Sequence, residues 1–322
     1  MVSRKFNHQL LLLVGFGISA LFFTESAIAS SGSAGMIGSA QELALSNALT
    51  WRRGGLKLLY DRIDATRLDE QRSGRWSVNQ YRSWDLGGVR CDHQFVLVGS
   101  DYRFKNDLIV GTAVDFGRGS AYLKTGSLGN QTVSGSLYMS YPLPDDAYLG
   151  ALMRVGVLRL SGSMGEALST STLHGASLGV EYGKSIEGGR LLKFEPQLRI
   201  TYSRLDDHVF PCGNDRIRYE AIDDLVTALK FKGEVTIEEN TRAYVSIGYY
   251  RDWLGQAAGR GIFSDGKVES FSRSLSKEWG RTGFGASYQS DRSIRATLQA
   301  ERTYGQEFGR NIRLSSSVSY TY

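Results

Sequence analysis

From about residue 73 to the C-terminus, apolar side chains return at every second position in segment after segment. In LLKFEPQLRITYSR, Leu192, Phe194, Pro196, Leu198, Ile200 and Tyr202 take one face, and Lys193, Glu195, Gln197, Arg199, Thr201 and Ser203 take the other. TRAYVSIGYY sets Ala243, Val245, Ile247 and Tyr249 against Tyr244, Ser246, Gly248 and Tyr250. RSIRATLQAE sets Ile294, Ala296, Leu298 and Ala300 against Arg295, Thr297, Gln299 and Glu301. A period of two with one polar face predicts strands with one wet side. Twelve such segments are predicted, at 73–84, 90–104, 107–118, 130–141, 147–161, 170–184, 190–204, 222–237, 241–253, 277–289, 293–304 and 311–322. Pro196 has no N–H for a ladder, so a bulge or irregular spot is expected there.

A soluble β-sandwich would alternate in the same way, so the connections decide. Every second one is short: near Asn106, at 144–146, 186–189, 238–240 and 290–292. Those between include the long polar stretches RGSAYLKTGSLGN, SGSMGEALS, DDHVFPCGNDRIRYE and LGQAAGRGIFSDGKVESFSRS. Short turns alternating with long loops fit an antiparallel barrel with one rim in the periplasm and one outside. Aromatics at strand ends (Tyr102, Phe104, Tyr141, Tyr148, Tyr182, Tyr249, Trp253, Tyr288, Tyr320 and Tyr322) predict interfacial girdles. No unpaired backbone group can face hydrocarbon cheaply, so the sheet must close. The expected fold is all-β, a twelve-stranded antiparallel transmembrane barrel over residues 73–322.

The same alternation assigns the lumen. Arg154, Glu195, Arg199, Arg295, Glu301 and Arg313 are expected to point inward. The mixture of signs predicts a polar, weakly selective pore. Glycines at inward positions, among them Gly111, Gly175, Gly179 and Gly285, leave room inside for something. The segment 30–72 supplies a candidate: helix-favouring residues from Gln41 to Arg53, a Gly54-Gly55 break, then Leu56 to Leu68. It reads either as a short surface helix or as a helix threaded through the lumen.

Residues 1–29 have a separate character. Arg4 and Lys5 precede the apolar run Leu10 to Phe23, and Ala27 and Ala29 give a small-x-small pattern that predicts cleavage between Ala29 and Ser30. That run falls short of the roughly 20 residues a helical span needs. The formal charge of +5 is mild and its Lys and Arg are interspersed with Asp and Glu, so no nucleic-acid partner is expected. Cys91 and Cys212 are the only thiols, and in an exported chain an even pair suggests a disulfide that would tie a lid across the pore. Of the histidines beyond the leader, His174 falls on the lipid-facing register and His208 sits in DDH at a loop tip. Neither has the converging nucleophile, base and orienter that catalysis needs. No cluster shows metal-ligand spacing, so neither metal nor cofactor is expected.

The C-terminal residues carry a resemblance. Trp279, the run Gly283 to Tyr288, ERTYG at 301–305 and a last strand ending in an aromatic resemble the end of the autotransporter translocator domain. LVGSDYRFKNDLIVGTAVDF (97–116), FEPQLRITYSRLDD (194–207) and RLDE (67–70) are similar to other parts of that domain in the same order, so that the likeness covers roughly 65–322. The resemblance implies an outer-membrane barrel with a helix in its pore, which carries a passenger across the membrane. It also implies outer-membrane lipid, the barrel-assembly machinery and periplasmic chaperones as partners, with Val318, Tyr320 and Tyr322 as the assembly signal. About 43 residues stand where such proteins place a long passenger, and the Asn-Asn junction for passenger release is absent. The expected function is therefore a non-enzymatic translocator or pore with a vestigial or missing passenger, or one supplied by another chain. The alternative is a small surface adhesin or porin acting through its long loops.

Overall fold

The computed structural model describes residues 33–68, 73–86, 89–123, 126–163, 168–189, 191–275, 277–290, 293–305 and 308–321. The expected cleavage site at Ala29 and Ser30, and Tyr322, lie outside the described residues. Two helices come first, α1 (Ser33–Arg53) and α2 (Gly55–Leu68). Strands β1 (Gly74–Leu86), β2 (Val89–Arg103), β3 (Ile109–Leu123), β4 (Gly126–Pro142), β5 (Ala147–Ser163) and β6 (Leu168–Lys184) follow as a meander. After the two-residue β7 (Ile186–Glu187) come β8 (Leu192–Leu205), β11 (Ile222–Glu238), β12 (Thr241–Asp252), β15 (Glu278–Ser290), β16 (Ile294–Tyr304) and β17 (Phe308–Thr321). Consecutive barrel strands pair antiparallel, and β17 pairs β1 from Gly74↔Thr321 to Leu86↔Phe308, which closes a twelve-stranded barrel. Closure leaves no ladder edge toward lipid.

All twelve predicted strands are present. Their polar face turns inward and their apolar face turns out: Val245, Ile247, Leu298 and Phe284 are more than half exposed, whereas Arg313, Glu301 and Glu195 are buried. On β16, Tyr304 lies at one end and Ile294, paired with Tyr320, at the other. That stretch is about 33 Å along the strand and about 25 Å along the normal at a 40° tilt, which matches the apolar band of such barrels. Exposed Tyr102, Tyr182, Tyr249, Trp253 and Tyr288 supply the girdles. Tyr148 is the exception among those expected. It is buried in the lumen, where its hydroxyl donates to Glu181 at 2.7 Å.

The irregular spot expected at Pro196 is present, without a bulge: the β8–β11 register runs through Phe231↔Pro196 without a shift, while the β6–β8 ladder stops at Gly183↔Gln197 and resumes in the same register as β7–β8 at Ile186↔Phe194. The pairing lapses opposite the proline, which has no N–H to give. Two other expectations are corrected by the ladder. The stretches RGSAYLKTGSLGN and SGSMGEALS are not loops. The β3–β4 ladder continues to Leu123↔Gly126 and the β5–β6 ladder to Ser163↔Leu168, so the hairpins rise beyond the apolar band, with Ala121, Leu128 and Leu160 buried on the inner face in one cluster with α1. The two longest connections are structured as well. They form β9 (His208–Cys212), β10 (Asp215–Tyr219), β13 (Gln256–Ile262) and β14 (Val268–Ser274), which assemble into a second sheet in the order β14-β13-β10-β9. Gly213 and Gly266 make its tight turns at φ of 66° and 86°, a left-handed conformation that glycine adopts without a steric cost.

Candidate functional site: a helix-filled lumen

Leu, Ala, Gln and Lys favour helix from Ser33 to Leu68, and no proline interrupts them. Gly54 does not break the path: its N–H donates to Thr50 O at 3.1 Å, so α1 and α2 continue one another through the barrel. The two glycines mark the closest approach to the wall instead. A Cβ at Gly54 would stand 2.5 Å from the Phe95 ring, and one at Gly55 would stand 2.7 Å from the Asp115 carboxylate.

The lumen has two unlike halves, and α2 matches both. Toward β1–β5 its Leu56, Leu59 and Ile63 pack with Trp76, Phe95, Leu97, Ala113, Tyr138 and Leu152. Toward β8, β11, β16 and β17 its polar side chains are paired one by one. Lys57 reaches Glu301 at 3.0 Å and also contacts Asp61. Arg313 bridges Asp61 at 3.2 Å and Glu301 at 2.7 Å. Asp64 accepts from Lys230 at 2.9 Å and Gln197 at 3.0 Å. On the opposite flank Arg62 pairs with Asp101 at 2.7 Å. Tyr60 shares a hydrogen bond with Thr201 at 2.8 Å and lies 3.5 Å under the Arg199 guanidinium, which pairs with Glu181. Each buried charge pays a desolvation penalty, so the net stabilisation from these pairs is modest, but a displaced helix would strand several of them at once.

Higher in the barrel, Arg154 is fully buried and makes a two-pronged contact with Asp115, both bonds 2.9 Å. It also donates to Trp51 O at 3.0 Å and lies 4.0 Å over the Trp51 ring. Trp51 Nε1 donates to Ser177 at 3.2 Å, and Arg52 pairs with Asp224 at 3.0 Å and with Asp252. Beyond the mouth, the N-terminal half of α1 buries Ala40, Leu43 and Ala44 in one apolar cluster with Phe210, Ile217, Tyr219 and Phe271 of the second sheet.

The residues expected to face the lumen are placed there. Arg154, Arg199, Glu301 and Arg313 hold the helix or its partners. Glu195 accepts from Gln197, and Arg295 donates to Gln289 at 2.8 Å beside one of the cavities left around the helix. That cavity, of about 100 Å³, lies between α2 and the serines of β17. The lumen is therefore not uniformly polar, because β1–β5 turn apolar rings inward. Of the inward glycines, Gly175 and Gly179 admit Trp51 and Tyr60 of the helix, whereas Gly111 and Gly285 admit Tyr138 and Tyr244 of the wall itself. In β17, Val318 pairs with Ser77 and Ala296, and Tyr320 is 37% exposed on the outer face.

The expected disulfide is absent: Cys91 and Cys212 are free and buried. α1 covers Cys91, whose thiol lies 3.4 Å from Ser46 Oγ, while Cys212 points under the second sheet toward Phe210 O at 3.8 Å. Burial pushes the Cys212 thiol up to about 12 and the His208 imidazole down to about 4. His208 stacks on Tyr219 with ring centroids 4.4 Å apart, and His174 is exposed on the outer face of β6. The helix–wall pairs were beyond sequence reading, except that charged residues at regular spacing on Lys57, Asp61 and Asp64 already marked one side of α2.

Comparisons with known proteins agree with this geometry. The family model described as the autotransporter beta-domain matches residues 76–301. The structure is similar to the translocator domain of autotransporter NalP from Neisseria meningitidis, at 16% identity and a TM-score of 0.68, covering 88% of this chain and 99% of that one. It is also similar to the beta domain of the Bordetella autotransporter BrkA, at 14% identity and a TM-score of 0.64, covering 78% and 99%. The transport unit of AIDA-I from Escherichia coli is similar at 12% identity and a TM-score of 0.58, covering 79% and 91%. No curated protein sequence matches the chain. With the family model spanning most of the barrel and the same helix-in-barrel architecture in place, the chain belongs to the autotransporter β-domain family, a translocator barrel of the outer membrane.

Proposed function

We propose that this translocator stands in its closed state, with α1 and α2 as a plug that occupies the path a passenger would take. The observation that carries this reading is the pairing of every charged side chain described on α2, Lys57, Asp61, Arg62 and Asp64, with the wall or with a neighbour. On this reading residues 1–29 export the chain, 30–72 form the plug and its lead, and 73–322 form the barrel. Val318, Tyr320 and Tyr322 serve insertion by the assembly machinery after delivery by periplasmic chaperones. The barrel does no chemistry of its own.

Deleting residues 30–72 tests the plug. In planar bilayers the full chain should show rare, small openings, and the deletion should show a steady conductance. Equal conductance for both would overturn the proposal.

A further inference from the structure

The outward face of the barrel changes character along one row of the ladder. Arg118 of β3 lies opposite Gln131 of β4, which lies opposite Arg159 of β5. All three are exposed on the lipid side, while Thr132, Leu158 and Leu160, which point inward beside them, are buried. The next outward row toward the periplasm is apolar: Phe116, Val133 and Val157, of which Phe116 and Val133 are about half exposed. The next outward row on the other side is Ser120, Gly129 and Ser161. At the far end of the apolar stretch, Tyr141 pairs with Leu149, ten residues along β4 from Gln131 and ten along β5 from Arg159. Ten residues of strand cover about 33 Å, or about 25 Å along the normal at a tilt of about 40°, which is the height of the apolar band. The two arginines therefore stand where that band ends at the outer rim.

Other outward arginines of this rim come with a carboxylate. Arg90 pairs with Asp92 at 3.0 Å, Arg204 with Asp223 at 3.3 Å and Arg251 with Glu278 at 3.5 Å. In the three rows across β3–β5 no Asp or Glu faces outward. On the flanking strand β2, Asp92 stands opposite Ser120, and it is already held by Arg90 and by the Tyr81 hydroxyl at 3.0 Å. Long side chains at a membrane rim lift their charged heads toward water, but that alone gives Gln131 no role. Arg118 and Arg159 are two strands apart, about 10 Å, with the Gln131 amide between them. Guanidinium forks bond phosphate oxygens in pairs, and the amide adds a donor for a further oxygen.

We propose that Arg118, Gln131 and Arg159 form the headgroup site for a phosphate-bearing lipid of the outer leaflet, whose acyl chains run down over Phe116, Val133 and Val157. The apolar row beneath the donors favours a lipid over a soluble anion: free phosphate would use one row, whereas a lipid uses both. These rows are also continuous with the face that the membrane covers, so the occupant comes from the barrel's own surroundings. Cations at a membrane surface gather anionic headgroups, and this adds to the fit. The inference rests on the barrel lying in the outer membrane and not on the pore being plugged.

The test uses the full chain in a neutral detergent, with lipid A as the probe and native mass spectrometry as the readout. The wild type should hold lipid A, and dephosphorylated lipid A with the same acyl chains should bind at least about tenfold more weakly. R118Q/R159Q should weaken lipid A binding by a similar factor. R251Q, at the same rim but paired with Glu278, should bind as the wild type does. A heat-modifiable band shows that a variant barrel is intact; R159Q alone should weaken binding severalfold, and it carries the test if the double variant gives no such band. Inorganic phosphate at the same concentration should leave the bound lipid in place. No lipid A on the wild type, equal binding by the arginine variants, or equal binding of the dephosphorylated lipid overturns the proposal. Displacement by inorganic phosphate would reassign the donors to a soluble anion and overturns it as well.

Discussion

Arg154→Ala removes a fully buried side chain that ties the waist of the helix to the wall. Arg154 and Asp115 are 0% and 1% exposed, so the variant leaves a carboxylate stranded away from water. Breaking a buried pair from one side costs about 3–5 kcal/mol. Loss of the cation–π contact with Trp51, 4.0 Å away, adds up to about 2 kcal/mol. Water that enters the vacated space relieves part of this, so the lower end, about 3–4 kcal/mol, is expected. At about 1.4 kcal/mol per decade, the ratio of undocked to docked helix should rise by about 10² to 10³. Single-channel recording reads this ratio as open time, and the temperature of heat-modified migration reads the stability. The double variant Asp115→Ala/Arg154→Ala discriminates the cause, because it empties the site without stranding a charge and should cost less than Arg154→Ala alone. If the single variant opens no more often than the wild type, or if the double variant is as damaging as the single, the stranded-charge reasoning is wrong.

Further outcomes follow from the same contacts. Gly179→Val places a side chain where a Cβ alone would already be 2.0 Å from the Tyr60 hydroxyl, so it should expel α2 and raise conductance while the barrel still migrates as a heat-modifiable band. Deleting residues 30–72 removes Ser46 and the rest of the cover over Cys91, so maleimide should label Cys91 in the deletion and not in the wild type. Burial holds the His208 imidazole at about 4, below its ordinary 6.5. The folded sheet therefore resists protonation, and the stability present at neutral pH is lost as pH falls from about 6.5 toward 4, by up to about 3 kcal/mol. Hydrogen exchange over 206–220 should accelerate across that window in the wild type and not in His208→Phe, and identical pH profiles would refute it. Deleting Tyr320 to Tyr322 should leave the chain degraded in the periplasm; a normal heat-modifiable band in outer-membrane fractions would remove these residues from the assembly signal.

Strands were legible because the membrane enforces contrast between their faces, as at Val245, Ile247 and Tyr249 against Ser246 and Gly248. That contrast fades where glycine and serine break the alternation and the outer face no longer meets lipid, which is why Tyr122 to Asn130 and Gly162 to Ser169 read as loops although their ladders continue. The second sheet has a local signal in the sequence, since FPCGNDRIR and GIFSDGKVESF are each a turn between alternating runs. The inward placement of Arg154 and Glu301 was legible from parity alone. Their partners were not, because a pairing such as Arg154 with Asp115 depends on how neighbouring strands are staggered and on where the helix comes to rest. Nor could spacing reveal that Cys91 lies under α1, since the obstacle comes from a segment distant in sequence.

The close passage of Gly54 and Gly55 against Phe95, Asp115 and Arg154 also fixes a depth. Sliding the helix by one turn, about 5.4 Å, would bring Thr50 and Trp51, or Leu58 and Leu59, to the place where even a methyl group collides. The helix therefore has a single stop along the barrel axis. Bulkier residues at that level would meet Phe95, Asp115 and Arg154, so the glycine pair sets the register in which the docked helix and the wall fit one another.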